Sequence, residues 1–536
     1  MISQDTTENT IEASKRKIAG SAGWVALGTF ISRILGFIRD MVLANIFGAT
    51  RAADAFYVAF RIPNMLRELF AEGSMSAGFI PVFTRYLQQK SKTDAKELAS
   101  AAFTVLLFTL SLIVSVGMIF SPQIVTLMAP GFLKSAQQFQ LTVQLTQIMF
   151  PFLLLVSVAA LLMGILNSSH RFGPPSMASG TFNVVSILFV MGTTPYLAEP
   201  AYGAAIGVVL GGLAQCAIQL PALYKEGFSL TICKPTWPFH PGVIQMGKLI
   251  LPISLGLSVT QINIFVNTLL ASYLPEGSVS YLYYGMRLIH FPLGIFAVAI
   301  ATAILPTLSA QASQKDMASL RQTFSFGLRF AFFMTFPAMI GLMVLRVPIV
   351  HLLFEHGEFT SVATQGTADA VLFYAVGLWA FSGIRVIAQG FYALQDTKTP
   401  VMIGLITVLM NIVLNLLLMR PLLHGGLALA TALSAIFNFT ALLIILNRRL
   451  GKIDTQGIIS SHMKVLAASL TMMLPLLWIA NQPIWQAADH WGIKGMVLSA
   501  AILLGAAAYF LVQALLKADE VYFLWGLVRE RMAGKK

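Results

Sequence analysis

The 536-residue chain is 57% apolar and 11% charged, and its 35 Lys and Arg against 22 Asp and Glu give a net charge of +13. Its mean hydropathy is +0.77. A soluble domain carries about 25% charged residues, so a water-soluble enzyme or a string of globular domains is excluded. No basic face of a soluble fold exists to carry the excess cations to nucleic acid. Runs of about 20 apolar residues separated by short breaks instead mark membrane-spanning helices.

In chain order, residues 1–20 are polar, mixed in charge and without an apolar core. They read as a cytosolic arm, not as a cleaved signal peptide. About fourteen spans follow, centred on Ile31, Ile62, Val105, Leu155, Val185, Gly211, Leu257, Ile295, Phe333, Val376, Val408, Leu433, Met472 and Leu504. Those at Ile62 and Ile295 are the weakest, because charge or proline interrupts them. With the N-terminus in the cytoplasm and the spans alternating, about 23 basic residues fall on the cytoplasmic side and about five outside: Arg51, Lys134, Arg346, Arg420 and Lys494. The positive-inside rule therefore places both ends of this multi-pass protein in the cytoplasm. Cys216 and Cys233 match no metal or redox spacing and take no role.

Two features recur. Ala77-Gly-Phe-Ile-Pro81 and Thr302-Ala-Ile-Leu-Pro306 each end a helix pattern on proline, 225 residues apart. Gly164-Ile-Leu-Asn-Ser-Ser-His-Arg-Phe-Gly-Pro174 and Gly390-Phe-Tyr-Ala-Leu-Gln-Asp-Thr-Lys-Thr-Pro400 recur at 226. Two matches at nearly one offset indicate internal duplication. The expected fold is thus an all-α polytopic membrane protein with two six-helix lobes and two extra C-terminal helices. An even number of spans per repeat relates the lobes by a pseudo-twofold along the membrane normal. The expected divisions are the arm 1–20, an N-lobe 21–226, a cytoplasmic linker 227–244, a C-lobe 245–450, the last two spans 451–516 and a cytoplasmic tail 517–536. Such lobes place a substrate site between them near the bilayer midplane.

Seven arginines fall inside spans: Arg33, Arg39, Arg61, Arg67, Arg287, Arg329 and Arg385. An ionised group at mid-bilayer costs about 2.5–3.5 kcal/mol on insertion scales, so it faces a partner or a wet cavity. Arg329 lies near a cytoplasmic helix end and is expected to snorkel. Arg33 and Asp40 are seven apart, on one helix face about 10 Å from each other. Asp54, Arg61 and Glu68 repeat that spacing, with Glu72 one turn further. Ion pairs locking the first two helices are one explanation. The other starts from residue type: only Arg is used, never Lys, and its forked donors suit phosphate oxygens. A wet cavity lined by Arg33, Arg39, Arg67 and Arg287 would receive a phosphate or pyrophosphate head group. A cation exporter would need carboxylates there.

Ser32-Arg-Ile-Leu-Gly-Phe-Ile-Arg-Asp40, Asn45-Ile-Phe-Gly-Ala49, Ala53-Asp-Ala-Phe56 and Pro63-Asn-Met-Leu-Arg-Glu-Leu-Phe-Ala-Glu-Gly73 resemble the N-terminal signature of the MurJ (MviN) lipid II flippases. Gly277-Ser-Val-Ser-Tyr-Leu-Tyr-Tyr284, Arg287-Leu-Ile-His-Phe-Pro-Leu-Gly294 and the Gly390–Pro400 run extend the likeness over nearly the whole chain. That family belongs to the multidrug/oligosaccharidyl-lipid/polysaccharide exporter superfamily. The resemblance implies export of lipid II, an undecaprenyl pyrophosphate carrying a disaccharide-pentapeptide, from the inner to the outer leaflet of the bacterial plasma membrane. It implies roles for Arg33, Arg39, Asp40, Asp54, Arg67, Glu72 and Arg287, and family basic positions at Arg61 and Arg385. The sequence departs from many relatives at Glu68, where they carry a second arginine. It departs again in the eighth helix, where Met286 and His290 stand in place of carboxylates. A carboxylate–arginine latch there lacks its acids, and His290 reads as a polar cavity residue.

Some members of the family bind sodium in the C-terminal lobe. Asn263 with Asn267, and Asn411 with Asn415, offer paired amide oxygens four residues apart. No carboxylate accompanies them, so amide hydrogen bonding between helices is the expected role and no metal is assigned. The expected mechanism is alternating access by a monomer with no cofactor, coupled to the membrane potential or an ion gradient. Hinges are expected at Pro63, Pro292 and Gly294. The uncharged helices around Met472 and Leu504 would offer the lipid tail a groove. Three alternatives are weighed: a flippase for another undecaprenyl-linked oligosaccharide, a multidrug/cation antiporter, and a membrane glycosyltransferase. The last would need an acidic metal motif, for which Glu355-His356-Gly357-Glu358, read as a solvated outer loop, is the sole candidate.

Overall fold

A computed structural model describes residues 28–69, 73–232, 240–451, 454–485 and 490–532. Every regular element among them is helical, as hydrocarbon demands of a chain that must satisfy its own backbone. Two compact units divide at Leu269 and Leu270. The first holds α1 (28–47), α2 (Arg51–Arg67), α3 (Gly73–Gln89), α4 (Lys92–Ile119), α5 (Ser121–Met128), α6 (Ala136–Met149), α7 (Pro151–Ser168), α8 (Gly173–Thr193), α9 (Pro200–Ala217), α10 (Leu220–Lys225) and nearly all of α11 (Pro241–Ala271). The second holds α12 (Ser278–Pro292), α13 (Val298–Ser313), α14 (Met317–Phe354), α15 (Ser361–Ala375), α16 (Leu378–Ala393), α17 (Lys398–Leu450), α18 (Thr455–Ala480), α19 (Trp491–Leu515) and α20 (Asp519–Met532). The expected lobe boundary at 245 follows the sequence repeat, whereas the packing boundary falls later because α11 lies on the first unit.

Polar residues start these helices and do not interrupt them. Ser91 and Asp94 form a reciprocal capping box on α4, and Asp316 and Asp454 cap α14 and α18 through their carboxylates. Inside the spans, the buried Thr104, Thr142, Thr146 and Thr335 return their hydroxyls to carbonyls four residues back. The first unit packs around Phe79, Phe83, Leu161 and Ile165. The second packs around Phe324, Leu328, Phe332 and Phe391.

Nine helices among the described residues are long and apolar enough to span a membrane, or eleven when each sharply bent pair counts as one. The shortfall from fourteen has two sources. The 53-residue α17 counts once, although Leu423 (φ 49°, ψ −130°) breaks it between the expected centres Val408 and Leu433. The charged α1 and α2 fall outside the count.

The duplication is visible in the helix frame. An offset of 225 separates the starts of α3 and α13 (Gly73, Val298), α4 and α14 (Lys92, Met317), α6 and α15 (Ala136, Ser361), and α8 and α17 (Gly173, Lys398). Even the stops match. α7 closes with His170 at φ 57° and α16 with Gln395 at φ 58°. Each closure returns two amides to the last turn: His170 to Asn167 and Arg171 to Leu166, Gln395 to Tyr392 and Asp396 to Phe391. One expectation is corrected. Pro81 and Pro306 do not end helices but sit inside α3 and α13, because packed neighbours let a membrane helix tolerate a missing donor. At Pro292 the chain widens into a π-helical turn, Leu293–Ala297, before α13.

Candidate functional site

In the first unit the expected charges come from α1 and α2. Adjacent helical residues point about 100° apart, so only a long side chain can fold back onto its neighbour. Arg39 does so, and its Nη2 donates to Asp40 Oδ1 at 3.0 Å, with the two side chains 12% and 0% exposed. The same guanidinium lies 5.5 Å from the Phe182 ring of α8 and 5.9 Å from the Phe60 ring of α2. This cation is thus held in a low-dielectric pocket by a carboxylate and two aromatic faces. Arg33 is exposed on the same helix. Asp54 on α2 is buried.

The far half of α2 faces α11 in a two-rung antiparallel ladder. Arg61 Nη1 donates to Thr268 Oγ1 at 2.6 Å, and Gln261 Nε2 donates to Glu68 Oε2 at 2.5 Å. Ser254 Oγ continues it by donating to the Leu69 carbonyl at 2.9 Å. The rungs match because Arg61 and Glu68 are seven apart, as are Gln261 and Thr268, so each pair lies on one helix face. Sequence reasoning missed Gln261 and Thr268; that matched spacing was the available signal. Arg67 Nε donates to Asn64 Oδ1 one turn back, at 2.9 Å. Glu72 lies outside the described residues, as does Cys233. Cys216 is buried, its thiol donating to the Leu155 carbonyl at 3.0 Å.

In the second unit Arg287 is half-buried on α12, while His290 on α12 and Arg385 on α16 are exposed. Arg329 lies 3.8 Å from both Asp519 Oδ2 and Glu520 Oε1 of α20, so it meets the C-terminal helix where snorkelling was expected. Asn411 and Asn415 are buried, and Asn415 Nδ2 donates to Asn411 Oδ1 at 2.9 Å. That bond runs along one helix, where bonding between helices was expected. Asn263 and Asn267 are half-buried on α11. Among the described residues no group of three or more His, Cys, Asp or Glu could hold a metal ion. Two further expectations change. Lys494, counted as an outer-loop cation, is fully buried in α19. Glu355, read as part of a solvated loop, pairs with His351 at 2.9 Å.

A duplicated all-helical frame with nine to eleven membrane-length helices among the described residues defines a polytopic membrane protein. An inward-facing multidrug resistance MATE transporter of the MOP superfamily has the same fold, with a TM-score of 0.66 at 14% identity over 78% of this chain and 94% of that one. A solved structure of the lipid II flippase MurJ in an inward closed conformation matches with a TM-score of 0.75 at 26% identity, over 92% of this chain and 99% of that one. The family model for lipid II flippase MurJ matches residues 43–499. A probable lipid II flippase MurJ of Vibrio cholerae is 38% identical over 92% of this chain and 95% of its own length. The lipid II flippase MurJ of Burkholderia cenocepacia is 33% identical over 90% and 94%. The chain belongs to the lipid II flippase MurJ family and is a multi-pass inner-membrane protein.

Proposed function

We propose that this chain moves lipid II from the inner to the outer leaflet of the bacterial plasma membrane, with both termini in the cytoplasm. The match to a probable lipid II flippase at 38% identity, over 92% of this chain and 95% of that one, supports the transport reading. The pyrophosphate is bound by Arg33, Arg39 and Arg67 of the first unit and Arg287 of the second. Asp40, Asp54, Arg61, Glu68, Glu72, His290 and Arg385 set the position and balance of that charge. The support is chemical. Guanidinium keeps its charge at any physiological pH and presents forked donors to phosphate oxygens. Arg39 is already fixed in orientation by Asp40, Phe60 and Phe182, which lowers the entropy lost on binding. Alternating access moves the bound head group across, with the monomer as the functional unit, no catalytic step, and the membrane potential or an ion gradient as the energy source.

The test is complementation of cells depleted of their own lipid II flippase. Wild type rescues growth, and Arg33→Ala, Arg39→Ala and Arg287→Ala do not at equal expression. Restoration by the corresponding Lys variants would show that charge alone suffices. Full rescue by all three Ala variants overturns the arginine receptor and leaves the flippase assignment standing. Failure of wild type overturns the assignment.

A further inference from the structure

A buried polar chain joins α14 to α19 within the second unit, and neither the sequence pattern nor the flippase proposal uses it. His351, near the end of α14, is 7% exposed, and Lys494, in the first turns of α19, is fully buried. Lys494 Nζ stands 2.7 Å from His351 Nε2. His351 Nδ1 stands 2.9 Å from Glu355 Oε2, which also accepts from Thr364 Oγ1 of α15 at 2.5 Å. Trp491 stacks on the imidazole with centroids 5.0 Å apart and planes 17° from parallel. Lys494 Nζ lies 4.7 Å from the same indole. His356 is the next ionisable group, 4.2 Å from the Trp491 ring. Glu358 follows in that loop and His490 is the N-cap of α19; Asp489 lies outside the described residues.

Two basic nitrogens at hydrogen-bond distance limit the protons that the pair can hold. One must donate and the other must offer a lone pair. With one charge on the pair, either the lysine is an ammonium donating to neutral imidazole, or the imidazolium donates to a neutral amine. In both cases the pair carries one positive charge, and Nδ1–H donates to Glu355. A second proton would set two cations 2.7 Å apart in a water-poor site, which like-charge repulsion forbids.

We propose that Glu355, His351 and Lys494 form a proton-binding site, and that uptake of one proton releases α19 from α14. The proton comes from solvent through Glu355, whose side chain is 22% exposed. It ends on the His351–Lys494 pair, and the Nζ···Nε2 bond breaks. With both termini in the cytoplasm this end faces outward, a point that rests on the orientation proposed above. The site itself does not depend on that orientation.

The experiment measures the thermal unfolding midpoint of the purified full-length protein in detergent at about pH 8 and about pH 5. Wild type, His351→Gln and Lys494→Met are compared. On acidification the wild-type midpoint falls about 3–6 °C further than that of either variant, because the variants hold no second basic nitrogen to repel. An equal fall in all three overturns the proposal. Where the variants fold poorly, tryptophan emission decides. Imidazolium against indole quenches it, so acid dims the wild type, the dimming is smaller in Trp491→Phe, and it persists in His356→Gln, which removes the other imidazole beside that ring. Dimming unchanged in Trp491→Phe overturns the proposal. Because no transport is assayed, these outcomes are separate from failure of the flippase assignment.

Discussion

Replacing Arg39 by Met removes the cation beside a carboxylate that water does not reach. Asp40 is fully buried, and breaking a buried ion pair from one side costs about 3–5 kcal/mol. The two aromatic faces over Arg39 add about 0.5–1 kcal/mol each. A loss of about 4–7 kcal/mol approaches the whole stability of a typical fold. Replacing both partners is different, because neutral groups of similar volume leave no orphaned charge. Arg39→Met/Asp40→Asn should therefore regain about 2–4 kcal/mol relative to the sum of the single variants. The assay is a double-mutant cycle on unfolding in detergent, run beside complementation. The double variant should be more stable than the two single losses predict and still fail to complement, because the orphaned charge is removed and the proposed phosphate donor is not restored. Additive single effects would refute the coupling. Complementation by the double variant would refute the substrate role of Arg39.

Three further outcomes are expected. Gln261→Leu and Thr268→Val each remove a hydrogen bond to a charged group of α2 and should cost about 1.5–3 kcal/mol in unfolding measurements, with the neighbouring rungs coupled rather than additive. Asp396 has its carboxyl held below the ordinary range, first by the Thr399 hydroxyl, then by the Thr399 amide and by Arg449. A depressed folded value stabilises above the unfolded pKa of about 3.9 and is lost as pH falls through the folded one, so Asp396→Asn should melt below wild type near neutrality and the gap should close in acid. A Cβ on Gly117 would meet the Phe150 ring at 2.2 Å, whereas one on Gly192 meets nothing within 4 Å. Gly117→Val should then cost about 1–3 kcal/mol and Gly192→Ala should gain about 0.5–1 kcal/mol, read as opposite shifts of the melting midpoint.

The fold was legible because hydrocarbon leaves the chain few options. Apolar runs located the helices, and proline and glycine punctuation exposed the repeat, although Pro81 and Pro306 mark positions inside helices rather than ends. The α2–α11 ladder was harder to see. Arg61 and Thr268 are 207 residues apart, and nothing in either helix alone selects the register that joins them. Lys494 was misplaced for a related reason. A cation close to a span's edge counts as loop charge, and only the fold shows that His351, 143 residues away, receives it. Arg39 was selected by residue type, but its anchoring on Phe60 and Phe182 depends on helices whose packing no local pattern encodes.

The duplicated frame separates what the fold needs from what the substrate needs. Arg171 pairs with Glu226 in the first unit, and Asp396 pairs with Arg449 in the second. Arg171 and Asp396 occupy the same place in the 225-residue register, after matching helix stops, yet their signs are reversed. A Coulomb pair has the same energy whichever partner is the cation, so a link that only ties two segments survives inversion. Phosphate reception cannot invert. At the same offset Arg33 corresponds to Ser258, Arg39 to Ile264, Asp40 to Phe265 and Asp54 to Val279, so the membrane charge of α1 and α2 is not repeated in the second sequence repeat. Arg287, one position from the counterpart of Arg61, is the exception. Charge retained in one repeat of a duplicated scaffold, and restricted there to arginine among the cations, is what the proposed anionic head group would require.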